Sequence, residues 1–216
     1  GSKDIKKNIK KNLKIVKRKI SKNSKNIFLV HQTHSNKVFF LDKNFKFKKK
    51  VKADAIVTSQ KKIPIAILTA DCVPLLLYEK EKKIIAAIHA GWKGAYKGII
   101  DKVIKYMLKK GCSSKNIIAA IGPAICQKNY VVKKDFKVRF IKQNIKNKIF
   151  FKKKKKLIYF NLPDFVNSQL KSNKITRIDR INLDTFDKKN NFFSARRSLK
   201  LNLNDYGRNI SIIMIN

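Results

Sequence analysis

The sequence predicts a single mixed domain of the α/β (α+β) class. Apolar residues make up 44% of a 216-residue chain, enough for one sizeable core. Short apolar runs of strand length alternate with a few segments of helical period. No internal repeat and no clear interdomain linker divides them.

Taken in order, the elements are as follows. Residues 3 to 25 are Lys/Asn-rich, with Ile5, Ile9, Leu13, Val16 and Ile20 at spacings of three to four, which predicts an amphipathic helix. Residues 1–25 thus form a basic N-terminal segment, with Gly1-Ser2 resembling a cloning scar, and 26–216 form the main domain. Strands are expected at 26–30, 38–41, 53–59, 63–69 and 84–88, with an apolar stretch at 75–78 and a turn at 79–83. Residues 98–109 carry Ile99, Ile100, Val103, Ile104, Met107 and Leu108 at helical spacing, and Gly111 suits the C′ position. A strand at 117–121 ends at Gly122-Pro123. Residues 133–156 read as basic, part helix and part loop. Residues 161–173 read as a helix with Pro163 in its first turn. A strand near Ile181, a loop over 192–197 and a last strand at 209–215 complete the chain.

The charge is the most conspicuous number: 53 basic against 13 acidic residues, a net +40. Such an excess ordinarily points to nucleic acid or an anionic surface. Only seven of the basic residues are Arg, however, and Arg makes the bidentate phosphate and base contacts. Lys, Asn and Ile are enriched together throughout, the pattern A/T-rich codons produce. We therefore expect no specific nucleic-acid partner and no membrane partner, only loose, salt-sensitive RNA binding at low ionic strength. The longest apolar runs are too short to span a bilayer, and no apolar signal region opens the chain. Three cysteines are too few for a disulfide framework, which favours the cytoplasm.

The rare residues fall at informative places. His34 and Cys72 follow strands and His89 ends one, so all three sit where a rigid scaffold hands over to loops. Cys72 and His89 are separated by one strand–turn–strand unit, which can bring their ends together. Three N/S donors leave zinc one open position, the catalytic arrangement, and the same donors suit copper. Taken singly, a Cys after a strand reads equally as a buried small hydrophobe, and a His as a hydrogen-bonded structural residue. His31 reads as a structural residue or as a partner that orients a ligand.

Six segments then occur in order: His31-Gln32-Thr33-His34-Ser35-Asn36-Lys37-Val38, Ala53-Asp54-Ala55-Ile56-Val57-Thr58, Thr69-Ala70-Asp71-Cys72-Val73-Pro74-Leu75-Leu76, His89-Ala90-Gly91-Trp92-Lys93-Gly94, Ile121-Gly122-Pro123-Ala124-Ile125 and Phe192-Phe193-Ser194-Ala195-Arg196-Arg197. Together they resemble the YfiH-type laccase-domain family, from about Phe28 to Arg208. The resemblance implies a layered α-β-β-α sandwich with mixed sheets and a metal held by His34, Cys72 and His89, with one zinc per chain. It also implies phosphorolysis of adenosine, inosine and methylthioadenosine, some members also deaminating adenosine. The partners would be a nucleoside and phosphate, and the chain a monomer or weak homodimer.

The residues fit such chemistry in outline. A zinc site can activate water for attack on C6 of adenine. Asp71, beside a ligand, could move a proton or merely cap a turn. Lys93 and Arg196 could meet phosphate, though Arg196 reads equally as an ion-pair residue. Gln32, Asn36 and Trp92 could contact substrate, and each has a bland reading as turn or wall. Four positions depart from the family pattern: Lys93 stands for Arg, Asp184 for Cys, Ala195 for an aromatic residue and Cys126 for Gly.

Two other readings compete. One is a metal-dependent amidase that edits cell-wall UDP-muropeptide precursors, and the other a non-catalytic polybasic protein binding RNA or a membrane surface. A multicopper laccase is the weakest, because three His in all cannot supply several copper centres.

Overall fold

The structure is a computed structural model that describes residues 3–21, 23–45 and 51–216. Gly1 and Ser2, and the scar reading attached to them, lie outside the described residues. The predicted mixed α/β single domain with mixed sheets is what is found.

The organising element is a hairpin of two seven-residue strands, β5 (Val73–Glu79) and β6 (Ile84–Ala90). Every residue of β6 is buried, because it lies inside a sheet covered on both faces. Around this hairpin β2 (Val38–Phe40), β3 (Ala55–Thr58), β7 (Ile117–Ile121) and β11 (Arg177–Arg180) complete a six-stranded mixed sheet, in the order β11-β7-β5-β6-β3-β2. A second sheet joins β1 (Phe28–Leu29), β4 (Ile65–Thr69) and β12 (Asn209–Ile213), with β4 in the middle. A third, antiparallel sheet has β10 (Leu157–Phe160) between β8 (Val131–Val132) and β9 (Phe151–Lys154).

Alternate residues of a strand face opposite sides, and β6 shows where the layers go. Ile84, Ala86, Ile88 and Ala90 join the helix-side core, against α3 (Ile99–Lys109) and α5 (Leu162–Ser172). Ile85 and Ala87 face the other way, into a smaller core shared with Ile65 and Ile67 of β4. His89, two residues further along, points to that same inter-sheet side. The layer order helix, sheet, sheet is thus set by packing. The predicted N-terminal helix is α1 (Lys6–Ile20), which buries none of its residues.

The helix-side core is strongly aromatic. Phe140, from α4 (Lys134–Gln143), is fully buried and meets Phe136, Phe151, Phe160 and Phe165 at centroid distances of 4.7 to 5.9 Å. Trp92 packs on this cluster, 4.9 Å from Phe136. Gly111, at φ +82°, follows the C-cap Lys110 of α3 and occupies the left-handed position expected of it.

Three stretches differ from expectation. The turn after His89 is the short helix α2 (Trp92–Tyr96), and the loop over 192–197 contains the start of α6 (Ala195–Lys200). Neither is long enough to show a helical period. The signal available for α6 is its cap, where Ser194 Oγ accepts from Arg197 N at 3.1 Å. The Lys-rich end of 133–156 is the hairpin β9–β10, whose exposed lysines hide any strand alternation. Among the described residues no helix is long and apolar enough to cross a membrane.

Candidate metal centre

Antiparallel pairing of β5 with β6 sets Pro74 opposite His89, so Cys72 lies just beyond the register position of His89. The β4–β5 turn is sharp, with Asp71 at φ +85°. His34 comes from the segment between β1 and β2 and is also left-handed, at φ +57°. Non-glycine residues in this region cost about 1–3 kcal/mol and persist only where surroundings hold them.

What holds them is visible. The Asp54 side chain is fully buried ahead of β3. Its Oδ1 accepts from His34 N at 2.9 Å, and its Oδ2 accepts from Ser35 N and Ser35 Oγ, both at 2.7 Å. The same Oδ1 lies 2.8 Å from His89 Nδ1. One carboxylate therefore shapes the His34 turn and fixes the His89 ring, directing its Nε2 away from Asp54. Asp71 does comparable work on the other side. Its Oδ1 accepts from Thr185 Oγ1 at 2.7 Å and its Oδ2 from Arg196 N at 2.6 Å, tying the β4–β5 turn to the start of α6.

His34, Cys72 and His89 are brought together, with one donor atom from each lying within 4.8 Å of the others. Cys72 Sγ is 3.7 Å from His34 Nε2, and the two imidazoles meet edge to face at 4.7 Å between centroids. A tetrahedral zinc with bonds of about 2.0 Å to nitrogen and about 2.3 Å to sulfur separates such donors by about 3.5 Å, so the donor set fits. Gly91 adds a second fit. A Cβ there would sit 3.0 Å from Cys72 Sγ and 3.0 Å from His34 Cδ2. The backbone approaches the donors as closely as only glycine allows. Burial grades from His89, enclosed, through Cys72 to His34, exposed, which opens the centre on one side.

The electrostatics suit a thiolate. Burial opposes ionisation of Cys72, but the charge of His89 and hydrogen bonds with both imidazoles outweigh it and bring the thiol down to about 7. Burial likewise opposes charging of His89, and Cys72 and Asp54 overcome it, raising the imidazole to about 9. Asp54, despite burial, is held well below the usual carboxylate range by its bonds from His89 and Ser35.

Two hollows flank the donors. One, of about 220 Å³, is lined by His31, Gln32, Tyr206 and Arg208 together with the three donors. The other, of about 190 Å³, is lined by Asp71, Ile125, Tyr130, Leu162, Arg196 and Leu199, with His34 and Cys72 at its edge.

The remaining sequence expectations distribute unevenly. Arg196 lines the second hollow, its guanidinium 5.3 Å from the Tyr130 ring and bonded to Val131 O at 3.0 Å. Asp71 reaches the same hollow, with both oxygens accepting the hydrogen bonds from Thr185 and Arg196. Gln32 is a clamp, its amide exchanging hydrogen bonds of 2.7 and 2.8 Å with the Leu68 backbone. Asn36, Trp92 and Lys93 line neither hollow. Asn36 Nδ2 donates to Lys97 O at 2.8 Å, Trp92 belongs to the aromatic core, and Lys93 Nζ lies 5.6 Å over the Trp92 ring. Sequence reading did not assign Asp54, Tyr130, Tyr206 or Arg208. Asp54 stood within the quoted Ala-Asp-Ala segment, whereas the other three carried no local signal. Asp184, at one of the departures, accepts from Cys126 N at 3.1 Å and Asn129 Nδ2 at 2.7 Å and packs structurally.

Comparison with known proteins adds an independent line. The chain matches, over residues 1–216, the family model described as multi-copper polyphenol oxidoreductase laccase. It is 36% identical over 213 residues to a purine nucleoside phosphorylase of Rickettsia conorii, covering 94% of this chain and 87% of that protein. A purine nucleoside phosphorylase of Rickettsia prowazekii is 34% identical over 194 residues, 89% of this chain and 79% of that protein. Among solved structures, the hypothetical protein YfiH of Bacillus licheniformis superposes with a TM-score of 0.89 at 25% identity, covering 100% of this chain and 84% of that one.

Proposed function

The chain belongs to the multi-copper polyphenol oxidoreductase laccase family, and from that premise we propose that it is a metal-dependent purine nucleoside phosphorylase with one zinc on His34, Cys72 and His89. The observation that carries this reading is the donor triad under Asp54, set between two arginine-bearing hollows, in a chain similar to proteins named for that activity. The donor set of two imidazoles and one thiolate favours zinc over a multicopper arrangement.

When bound, the metal supplies a Lewis acid that polarises an oxygen of the ligands in the site. The chain does the rest. Asp54 fixes the His89 ring and the His34 turn, so the donors need not reorganise. Asp71 holds the start of α6 and with it Arg196. The Tyr130 phenol, pushed up by burial and then by negative charge at Cys72 and Asp71, stays protonated and can donate a hydrogen bond within its hollow. In the reaction a phosphate oxygen bonds to C1′ while the C1′–N9 bond breaks, and the purine leaves carrying a proton from the dihydrogen phosphate.

Phosphorolysis is favoured over deamination by the state of the acids. A zinc deaminase uses a free carboxylate as general acid and base. Here the carboxylates nearest the donors, Asp54 and Asp71, are fully engaged in hydrogen bonds.

The test is metal content measured beside phosphate-dependent base release, on wild type and Cys72→Ala. Zinc and release that both vanish in the variant support the reading. Zinc without release directs attention to muropeptide substrates. A folded wild-type chain with neither would sink it.

A further inference from the structure

Each hollow beside the triad is smaller than the roughly 300–1,000 Å³ of a complete small-molecule site, at about 220 and about 190 Å³. They meet at His34, Ala70, Cys72 and Tyr206, which line both. A nucleoside with phosphate therefore has to use both, and their chemistry differs.

The Tyr130 hollow has apolar walls at Ile125, Leu162 and Leu199, with Asp71 and Arg196 beside them, each already hydrogen-bonded to the backbone or to Thr185. Leu162 is buried, whereas Leu199 lines the hollow yet remains 65% exposed, a large apolar side chain at a mouth with no core to fill. The Tyr130 ring contacts the Arg196 guanidinium at 5.3 Å and the edge-on Phe160 ring at 5.9 Å between centroids. Ala195 leaves space beside it. Rigid aromatic and aliphatic walls with one phenol donor suit a flat heterocycle.

The other hollow carries Arg208. Its Nη1 donates to Tyr206 O at 2.6 Å and lies 3.7 Å from Asp205 Oδ1. Among the described residues its Nη2 and Nε donate to nothing, which leaves one planar edge of the guanidinium for an oxyanion. Arg197, by contrast, spends its guanidinium on the carbonyls of Thr185, Phe186 and Phe192. His31 lines the Arg208 hollow as a second polar group.

Displacement at C1′ brings the entering oxygen to the face of the ribose opposite the departing base. Two unlike hollows that meet at one candidate metal centre can hold the two reactants in that arrangement. Resting on the phosphorolysis reading, we propose that the nucleoside lies across the triad, its purine in the Tyr130–Leu199 hollow and the attacking phosphate on the free edge of Arg208.

The experiment is steady-state phosphorolysis of adenosine by the zinc-loaded protein, varying each substrate, with equilibrium dialysis of free adenine. Arg208→Ala should raise the KM for phosphate on the order of 10- to 100-fold, the scale of a lost charged hydrogen bond, and leave the KM for adenosine within about twofold. Arg208→Lys should recover part of the loss. Tyr130→Leu, which removes the aromatic wall and the phenol while keeping much of the volume, should raise the KM for adenosine and weaken adenine binding with the phosphate KM and zinc content kept. Leu199→Ala, at an exposed position that the fold tolerates, should weaken adenine binding in the same sense. Turnover in which these variants raise both KM values alike, or with the pattern reversed, overturns the assignment of the two hollows alone. A wild type that releases no base in phosphate overturns the phosphorolysis reading and this inference with it.

Discussion

Asp54 and His89 are joined twice, by His89 N donating to Asp54 O at 2.7 Å and by the 2.8 Å contact of His89 Nδ1 with Asp54 Oδ1. The first bond lies at the edge of the β3–β6 pairing, and the second sets a ring. The residue just ahead of β3 is thus also the residue that aims a candidate metal donor.

It follows that Asp54→Asn lowers zinc affinity. Partners of this kind are worth roughly 10- to 100-fold in metal binding. A chelator competition reads the affinity directly. An unchanged dissociation constant in a folded variant would remove Asp54 from the centre.

Gly91→Ala tests the close approach. The new Cβ would press on Cys72 Sγ and the His34 ring at 3.0 Å. Overpacking of this sort costs about 1–3 kcal/mol, and here it falls on the donors first. Zinc stoichiometry should drop more than the melting temperature does. Full zinc loading would show that the triad tolerates the displacement.

Thiol reactivity follows from the two cysteine environments. Cys72, lowered from 9.0 to about 7, becomes thiolate as pH rises through that value, so alkylation of metal-free protein should have its midpoint there. Cys112 is raised to about 11, first by burial and then by the charge of Glu79, and should stay unmodified across the same range. Zinc should protect Cys72. Mass spectrometry of iodoacetamide-treated protein between pH 5 and 9 checks all three points, a range chosen to bracket the unperturbed and shifted thiol values.

Asp71→Asn separates positioning from ligation. It weakens the hold on Thr185 and on the start of α6 while leaving all three donors in place. Zinc content should be retained and kcat/KM for base release should fall on the order of tenfold, as expected for one lost hydrogen bond to a charged group. Loss of zinc in this variant would mean that Asp71 supports Cys72 rather than α6.

Phe140→Ala should cost about 3–5 kcal/mol, the range for deleting a fully buried aromatic ring. Its ring sits at the middle of the Phe136–Phe151–Phe160–Phe165 cluster, so little can move in to fill the void. Urea unfolding measures it. A cost below about 1 kcal/mol would mean that the cluster collapses around the gap.

The chain's local patterns account for much of the fold. Apolar runs marked β3 to β7, helical spacing marked α3, and Pro163 marked the first turn of α5, because burial of one face leaves a period in the sequence. α2 and α6 escaped because five and six residues hold too little period to read. The lysines of β9 masked a hairpin for a related reason, since both its faces near the tip are solvated.

By itself the sequence determined that Cys72 and His89 stand at strand ends and that His34 follows an apolar run, since rare donors beside apolar runs are visible without coordinates; the structure places His34 in the loop between β1 and β2. Only the tertiary structure decided what surrounds them. Asp54 reaches His89 across the β3–β6 pairing, Arg208 and Tyr130 arrive from elements far along the chain, and Trp92, the residue after Gly91, turns away into the aromatic core while Lys93 is exposed beside its ring. Local pattern records which side of an element is buried. Which elements then meet depends on sheet register and layer packing, and no short stretch of sequence carries that information.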